Sequence, residues 1–455
     1  MSAWVQAASD WLWGPPMLIL VLGTGLYLAW RLRAVQVREL LAAVRDAARR
    51  PEASEEGDIS PLAALMTAVG GIVGNGNLAG VATAITAGGP GALFWMWVSG
   101  LVGMGTMFAE CALAVRWRRR GEDGLWVGGP MYVMRDRLGW PRIAAFFAAG
   151  LAVKTLLATT TVQSHSIASV VGAELGWTPL ASCALLAVVT AAVVLGGLRS
   201  IARASELLAP LMGLLYLAGS ALALWIFRDR LAEALTLVLT HAFTPTAASG
   251  GFLGAGVREA LRFGLARGVY SNEAGTGSAP IAHASARTAD PRRQGRIAML
   301  GVLIDTLIVS SATGLVLLAS GAWTSGLDST ALTARAFGQG LGGTGSVLVL
   351  VSSVLFGLST LITWAFYGEQ CTAYLLGPRA RVPYRALYCV AILGGSLGDA
   401  RAIWAWGDLL NAIMALPNLV ALLALGGELG RQIFGPAEGS DEGSRRSAEA
   451  GARET

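Results

Sequence analysis

The sequence predicts an all-α integral membrane protein with about eleven transmembrane helices. Three observations predict it. Of its 455 residues, 54% are hydrophobic and 14% charged, with mean hydropathy +0.57. Soluble domains carry roughly 25% charged residues. Apolar stretches also recur along nearly the whole length, most of them near the roughly 20 residues that cross a bilayer. They lie at about 12–30, 62–86, 91–115, 142–172, 179–197, 205–227, 249–285, 295–320, 344–376, 382–398 and 402–430. Finally, the arginines alternate with these stretches rather than clustering on one face.

That alternation sets the expected topology, because Lys and Arg concentrate in cytoplasmic loops. With the N-terminus outside, the inward loops hold Arg31 through Arg50, Arg116 through Arg142, Arg199, Arg203, Arg287 through Arg296, Arg379 through Arg385, and Arg431. The outward loops hold only Arg228, Arg230, Arg335 and Arg401. The net charge of +5 therefore reflects a multi-pass protein of the plasma (inner) membrane with a cytoplasmic C-terminus. It does not describe a nucleic-acid face, which would gather basic residues on one soluble surface. The leading run continues to Trp30 without a basic start or a small-residue cleavage site, so it is expected to stay as a span. Cys111, Cys183, Cys371 and Cys389 share no CxxC spacing and are expected as small packing residues.

The span at 62–86 is interrupted. Its centre holds Gly70, Gly71, Gly74, Gly76 and Gly80, with Asn75 and Asn77 between them. Each interior Gly costs about 1 kcal/mol relative to Ala, and a helix that only spans lipid has no use for that weakness. Close helix packing would account for a Gly every fourth residue. It does not account for adjacent Gly70-Gly71 or for the Asn-Gly-Asn cluster. Unwound backbone at membrane depth survives only where it is buried in protein or lines a cavity. Broken helices near the midplane carry the substrate and ion sites of secondary transporters. The Gly74-x-Gly76-x-x-x-Gly80 spacing is no dinucleotide fingerprint, since no strand of a soluble βαβ unit precedes it.

A second irregular region, 244–287, opens with Gly250, Gly251, Phe252, Gly254 and Gly256. It heads a second set of five spans as the first break heads the first set. Two such halves are expected of an inverted-repeat transporter. The expected organisation is an extra helix and linker at 1–58, a core at 59–434 in halves of about 59–228 and 244–434, and a disordered tail at 435–455.

Polar groups inside spans are functional candidates by default: Asn75, Asn77, Lys154, Gln163, His165, Asp305, Ser359, Thr360, Trp364, Asp408 and Asn411. Several have plainer expectations. His165 suits packing. Lys154 can snorkel to an interface along its stem. Glu110 is expected to cap or anchor a cytoplasmic helix end, and Asp408 and Asn411 to hydrogen-bond helices together. An enzyme would need a nucleophile with its base, or a metal cluster. Three scattered histidines (His165, His241, His283) provide neither, and no cofactor is expected.

Long blocks resemble the alanine/glycine:cation symporter family, also called sodium:alanine symporters. They are GNGNLAGVATAITAGGPGALFWMWVSGLVGMGTMFAECALAVRWR (74–118), GGPMYVM (128–134), HAFTPTAASGGF (241–252), RGVYSNEAGTGSAPIAHASA (267–286), RQGRIAMLGVLIDTLIV (293–309), LSTLITWAFYGEQCTAYLLG (358–377) and NAIMALPNLVALL (411–423). The resemblance implies a LeuT-type fold, a 5+5 inverted repeat preceded by one extra N-terminal helix. It implies a substrate site from Asn75, Gly76 and Asn77 at the first break, Gln163 on the third core helix, Gly251 and Phe252 in the unwound sixth, and Trp364 above a small side chain. Amides opening the second half-helix would bind the amino acid's carboxylate. A sodium ion would sit on the carbonyls of Gly70 and Val73 and the hydroxyls of Ser359 and Thr360, with Asp305 at a weaker second site. The chain departs from the family at Asn75, where Thr or Ser is usual, and at Ser164, where Asn is expected. The implied activity is sodium-coupled symport of a small neutral amino acid, alanine or glycine, by a monomer in the lipid bilayer. Proton coupling and a non-transporting amino-acid sensor are the alternatives.

Overall fold

The computed structural model describes residues 2–49, 51, 55–247, 252, 254–397 and 400–434. The polar tail expected at 435–455 lies outside them. The described residues are almost entirely helical. Arg119–Arg120 pairs antiparallel with Trp126–Val127 in a short ribbon between spans.

The principal helices are α1 (Pro15–Arg31), α2 (Pro61–Ile72), α3 (Ala79–Gly88), α4 (Ala92–Arg116), α5 (Pro141–Leu175), α6 (Pro179–Val194) and α7 (Gly197–Ile226). They continue with α8 (Val257–Asn272), α9 (Ala279–His283), α10 (Pro291–Ser320), α11 (Gly343–Leu376), α12 (Arg381–Ala391) and α13 (Ala400–Phe434). Several starts follow directly from local chemistry. Pro61, Pro179 and Pro291 occupy first turns, where a missing N–H costs nothing. The residue before each caps the helix: Ser60 Oγ accepts from Ala63 N at 3.0 Å, Thr178 Oγ1 from Ala181 N at 3.3 Å, and Asp290 Oδ1 from Arg292 N at 2.8 Å.

Among the described residues, six helices are long and apolar enough to cross a membrane. The pair α2 and α3, bent by 53°, makes a seventh span across the expected break. The remaining expected spans correspond to shorter or interrupted helices: α1, α6, α8 with α9, and α12. Outward-facing Leu185, Val188, Leu211, Leu214 and Trp225 are exposed and apolar, as a lipid-facing surface requires.

A second interruption falls at Glu273–Ser278, between α8 and α9, inside the irregular region expected at 244–287; Gly250 and Gly251, which open that region, lie outside the described residues. Glu273, Gly275 and Gly277 all have left-handed φ, +58°, +84° and +80°. A residue in that region cannot continue a right-handed helix. The run 250–256 precedes α8.

Two spans carry wide π-type turns, Thr155–Thr159 in α5 and Leu303–Ser310 in α10. Such turns often mark functional positions. One follows Lys154 directly and the other contains Asp305.

Helix α4 lies along both α8 and α10, while α2 packs against α7 and α11. The α4–α8 contact depends on Gly264. A Cβ there would stand 2.4 Å from the carbonyl oxygen of Ala92 and 2.6 Å from the Trp95 Cβ. Backbone cannot move aside as a side-chain tip can. Replacing Gly264 by Leu is therefore expected to lower the melting temperature of the detergent-solubilised protein by several degrees, at a cost of about 1–3 kcal/mol or more. Gly150→Ala, where nothing lies within 4 Å, is the control and is expected to leave it unchanged or raise it slightly.

Candidate functional site at the helix breaks

The first break is held by side chains. Helix α2 ends at Ile72, and the Gly74 N–H that would close the next turn donates to Asn77 Oδ1 at 2.9 Å. The Asn75 N–H donates to Gln163 Oε1 at 3.2 Å, and the Asn77 N–H to Gly74 O at 3.0 Å. In a bilayer each of these groups would otherwise cost several kcal/mol. The amides expected to face a carboxylate are thus largely committed within the protein. Of this stretch, Gly76 N–H has no such bond among the described residues and lies at the cavity wall.

Asn75 faces the helices rather than the cavity. Its Nδ2 donates to Gln163 Oε1 at 3.0 Å and to Ser353 O at 3.3 Å, and its Oδ1 accepts from Ser353 Oγ at 2.7 Å. The larger amide, where the family usually has Thr or Ser, thereby ties α5 and α11 across the break. Asn77 reaches the other way, to Asp305 Oδ1 at 2.7 Å and Ser310 Oγ at 3.0 Å. Asp305 also accepts from Ser271 Oγ at 3.0 Å and Thr306 Oγ1 at 2.7 Å. Asn77 and Asp305 are therefore brought together as expected, with Ser271 completing the group.

Beside the end of α2 lies a set of oxygens. Ser359 Oγ and Ser205 Oγ are fully buried and have no hydrogen-bond partner among the described residues. Both face Gly70: a Cβ built there would lie 2.6 Å from the first and 3.5 Å from the second. Thr360 Oγ1 lies 3.5 Å from Val73 O while donating to Phe356 O at 2.9 Å. Buried hydroxyls without partners are costly. Carbonyl and hydroxyl oxygens suit a hard monovalent or divalent cation. The predicted residues Gly70, Val73, Ser359 and Thr360 are thus adjacent, and α7 adds Ser205, which the sequence reading did not include.

Between the two breaks is a small cavity of about 20 Å³, little more than the room one ordered water needs. Gly76, Gln163 and Trp364, named for the substrate site, line it; Thr360, named for the cation, and Lys154, Tyr270, Ser271 and Glu273 line it as well. Trp364 Nε1 donates to Glu273 Oε1 at 2.8 Å, with Gly71 O at 3.3 Å. Over Tyr270, the Arg267 guanidinium makes a two-pronged ion pair with Asp408 at 2.7 and 2.9 Å and stacks on Trp404 at 4.9 Å. Asp408 does join helices, as the sequence reading expected.

Three expectations are corrected. Gly251 lies outside the described residues, and Phe252 packs edge-on against Trp323 at 5.2 Å, away from the cavity lining. Glu273 on the second break takes the corresponding place. Lys154 does not snorkel: it is 4% exposed and donates to Asn411 Oδ1 at 2.8 Å. A polar partner at depth removes the need to reach an interface. Glu110 caps nothing: it is buried, accepting from Gly275 N at 3.1 Å and from Asn418 Nδ2 at 2.8 Å, and so pins the second break.

A family model described as the sodium:alanine symporter family matches residues 1–436. The chain belongs to the sodium:alanine symporter family. Within it, the chain is 39% identical to the sodium/alanine symporter AgcS of Methanococcus maripaludis over 93% of this chain and 94% of that protein. It is 40% identical to an uncharacterized transporter of Haemophilus influenzae over 92% and 93%. The crystal structure of MhsT in complex with L-phenylalanine superposes with a TM-score of 0.56 at 13% identity, covering 84% of this chain and 99% of that one. The fold is thus of the LeuT type. This member of the family is a multi-pass membrane transporter and not an enzyme.

Asn77 links the break, α8 and α10 in one network, so its removal has a local signature. Asn77→Ala strands the Gly74 N–H at a cost of about 1–3 kcal/mol. Amide exchange across 74–78 is expected to accelerate roughly tenfold or more, measured by hydrogen–deuterium exchange in detergent, while α6 is unaffected. Equal exchange in the variant and the parent would refute this role for Asn77.

Proposed function

We propose that this chain carries out sodium-coupled symport of small neutral amino acids, alanine and glycine, by alternating access. The observation that carries the reading is the adjacency of two elements. A small cavity lies between two interrupted spans, and against it stands an oxygen set in which Ser359 Oγ and Ser205 Oγ have no hydrogen-bond partner among the described residues. Family membership supports it, as does the likeness to the sodium/alanine symporter AgcS. The orientation follows the arginine pattern, with the N-terminus outside and the C-terminus in the cytoplasm, in the plasma (inner) membrane, as a monomer.

In the proposed cycle, sodium enters at Gly70 O and Val73 O with Ser359 and Thr360. It ties α2 to α11 and so steadies the break. The amino acid then occupies the cavity below Trp364 with Gln163 and Gly76 on its wall. Each ligand orders backbone that the other uses, so each raises the other's affinity; the coupling is reciprocal. Asp305, with Asn77 and Ser271, is the candidate for a second cation. The small cavity limits the side chain, and Asn75 sets its shape indirectly by holding Gln163.

The decisive experiment is uptake of labelled L-alanine and glycine into proteoliposomes. Accumulation is expected with an inward sodium gradient and not with choline in its place. Accumulation driven only by a pH gradient would replace sodium by protons, and binding without uptake would indicate a sensor. Ser359→Ala combined with Thr360→Ala is expected to raise the half-saturating sodium concentration about tenfold or more, each lost oxygen contributing on the order of 1 kcal/mol. A second variant addresses selectivity. Asn75→Thr removes the side-chain bond to Gln163 Oε1, leaving that from the residue-75 N–H, and is expected to change the ranking of glycine, L-alanine, D-alanine and serine as competitors. An unchanged ranking would remove Asn75 from selectivity.

A further inference from the structure

The charged groups around the cavity differ in how fully they are used. Asp305 receives hydrogen bonds from Asn77, Ser271 and Thr306. Arg267 and Asp408 satisfy each other through two bonds. Lys154 and Glu273 are in a different position. The Lys154 ammonium has one hydrogen bond, to Asn411 Oδ1 at 2.8 Å, and stands 3.9 Å from the centre of the Trp364 ring. An ammonium has further N–H donors to place. Glu273 Oε1 takes the Trp364 Nε1 proton at 2.8 Å, and Oε2 takes that of Ser278 Oγ at 2.5 Å. A carboxylate keeps further lone pairs beyond these. Both residues line the cavity, and both are at most 4% exposed.

Trp364 sets the spacing. Its face carries the cation and its N–H edge the carboxylate, so the indole holds opposite charges apart at one wall. Among the described residues no ion pair joins Lys154 to Glu273. A buried charge short of hydrogen-bond partners is costly, and a ligand that brings a partner to each group at once relieves two such costs. An α-amino acid is that ligand. Its ammonium and carboxylate sit on one carbon, and it is net neutral, as the Lys154 and Glu273 charges are together.

We infer that Lys154 and Glu273 are the substrate-contacting residues that read the two charges of the amino acid, Lys154 taking the carboxylate and Glu273 the ammonium, with Trp364 fixing their separation. This inference rests on the amino-acid reading of the cavity. It adds that selectivity is for the zwitterion itself, imposed by side chains and not only by the backbone of the breaks. Asn411 is then a positioning residue that aims the ammonium.

The test uses the full chain in proteoliposomes and a competitor panel against labelled L-alanine and glycine: unlabelled amino acid, propionate, ethylamine and alaninamide. For the parent, the single-charge compounds are expected to compete at least a hundredfold more weakly than alanine. Lys154→Met is expected to weaken alanine roughly ten- to a hundredfold, the range of a charge-assisted hydrogen bond, and to leave alaninamide and ethylamine unaffected. Glu273→Gln is expected to weaken alanine similarly and to leave propionate unaffected. Lys154→Arg is expected to restore part of the loss. A merely structural role would weaken every competitor alike, and that result overturns the inference. So does a parent protein inhibited as well by propionate or ethylamine as by alanine, which requires no variant to fold. If the parent accumulates another zwitterionic amino acid but not alanine or glycine, the proposed substrate fails and the same panel is read with the amino acid found. If uptake proceeds without sodium, the coupling fails while the charge pattern still decides this inference. A parent that binds no zwitterion overturns both.

Discussion

Everything at the centre of this protein depends on one requirement, that backbone polar groups at membrane depth find partners. A continuous helix meets it within itself. Opening the helix at Val73–Leu78 releases several groups at once, and the chain meets the requirement with amides. Asn77 takes back the Gly74 N–H, and Gln163 reaches from α5 to the Asn75 N–H. The second break uses Glu110 and Asn418 at Gly275 in the same way. The break is thus a joint between four or more helices, not a gap in one. It follows that the polar residues nearest each break serve the fold first, and that the cavity is lined by their neighbours.

This division explains what was legible in the sequence. The membrane class, the first break and the family were readable, because hydropathy, glycine clustering and long matching blocks are local signals. Gly76, Gln163 and Trp364, named for the substrate site, line the cavity, and Ser359 lies beside Gly70. Asn75, named with them, instead turns to Gln163 and Ser353: spacing along a chain does not tell which way an amide points. Within the irregular region at 244–287, Gly250-Gly251 is the more conspicuous pair and drew the reading, but it lies outside the described residues. The pair that matters, Gly275 and Gly277, flanks no adjacent glycine and is preceded by a left-handed glutamate, which propensity does not foresee. Lys154 and Glu273 were missed for a related reason. A lone charge in an apolar run has two physical solutions, reaching water or finding company at depth. Only the three-dimensional neighbours, Asn411 and Trp364 on distant helices, choose between them. One signal was available: this is the only lysine of the chain, where arginine is used everywhere else. Lysine's compact, mobile ammonium suits a position where a ligand must be met.

The electrostatics of the centre are graded. Arg267 and Asp408 form a closed pair toward one end of the cavity, and Asp305 is enclosed by donors. Between them the charges on either side of Trp364 stay partly uncommitted. Such grading confines ligand chemistry to one region, since groups already saturated gain little from a newcomer. The hydroxyls of Ser205 and Ser359 lie outside this region, on the far side of the α2 backbone.

The wide turns in α5 and α10 have a further consequence. A π turn holds one more residue than the regular helix around it, so the two halves of the span are rotated about the axis relative to an unbroken α-helix. Thr155–Thr159 lies between Lys154 and Gln163, and Leu303–Ser310 contains Asp305. Each of these spans therefore holds spare arc length at the depth of the cavity. If the surplus residue migrates along the axis, hydrogen bonds are exchanged one for one, and the segment it passes turns by about a third of a revolution with no bond left open. The residues on either side of each wide turn therefore face directions that an unbroken α-helix would not give them, at the depth of the cavity.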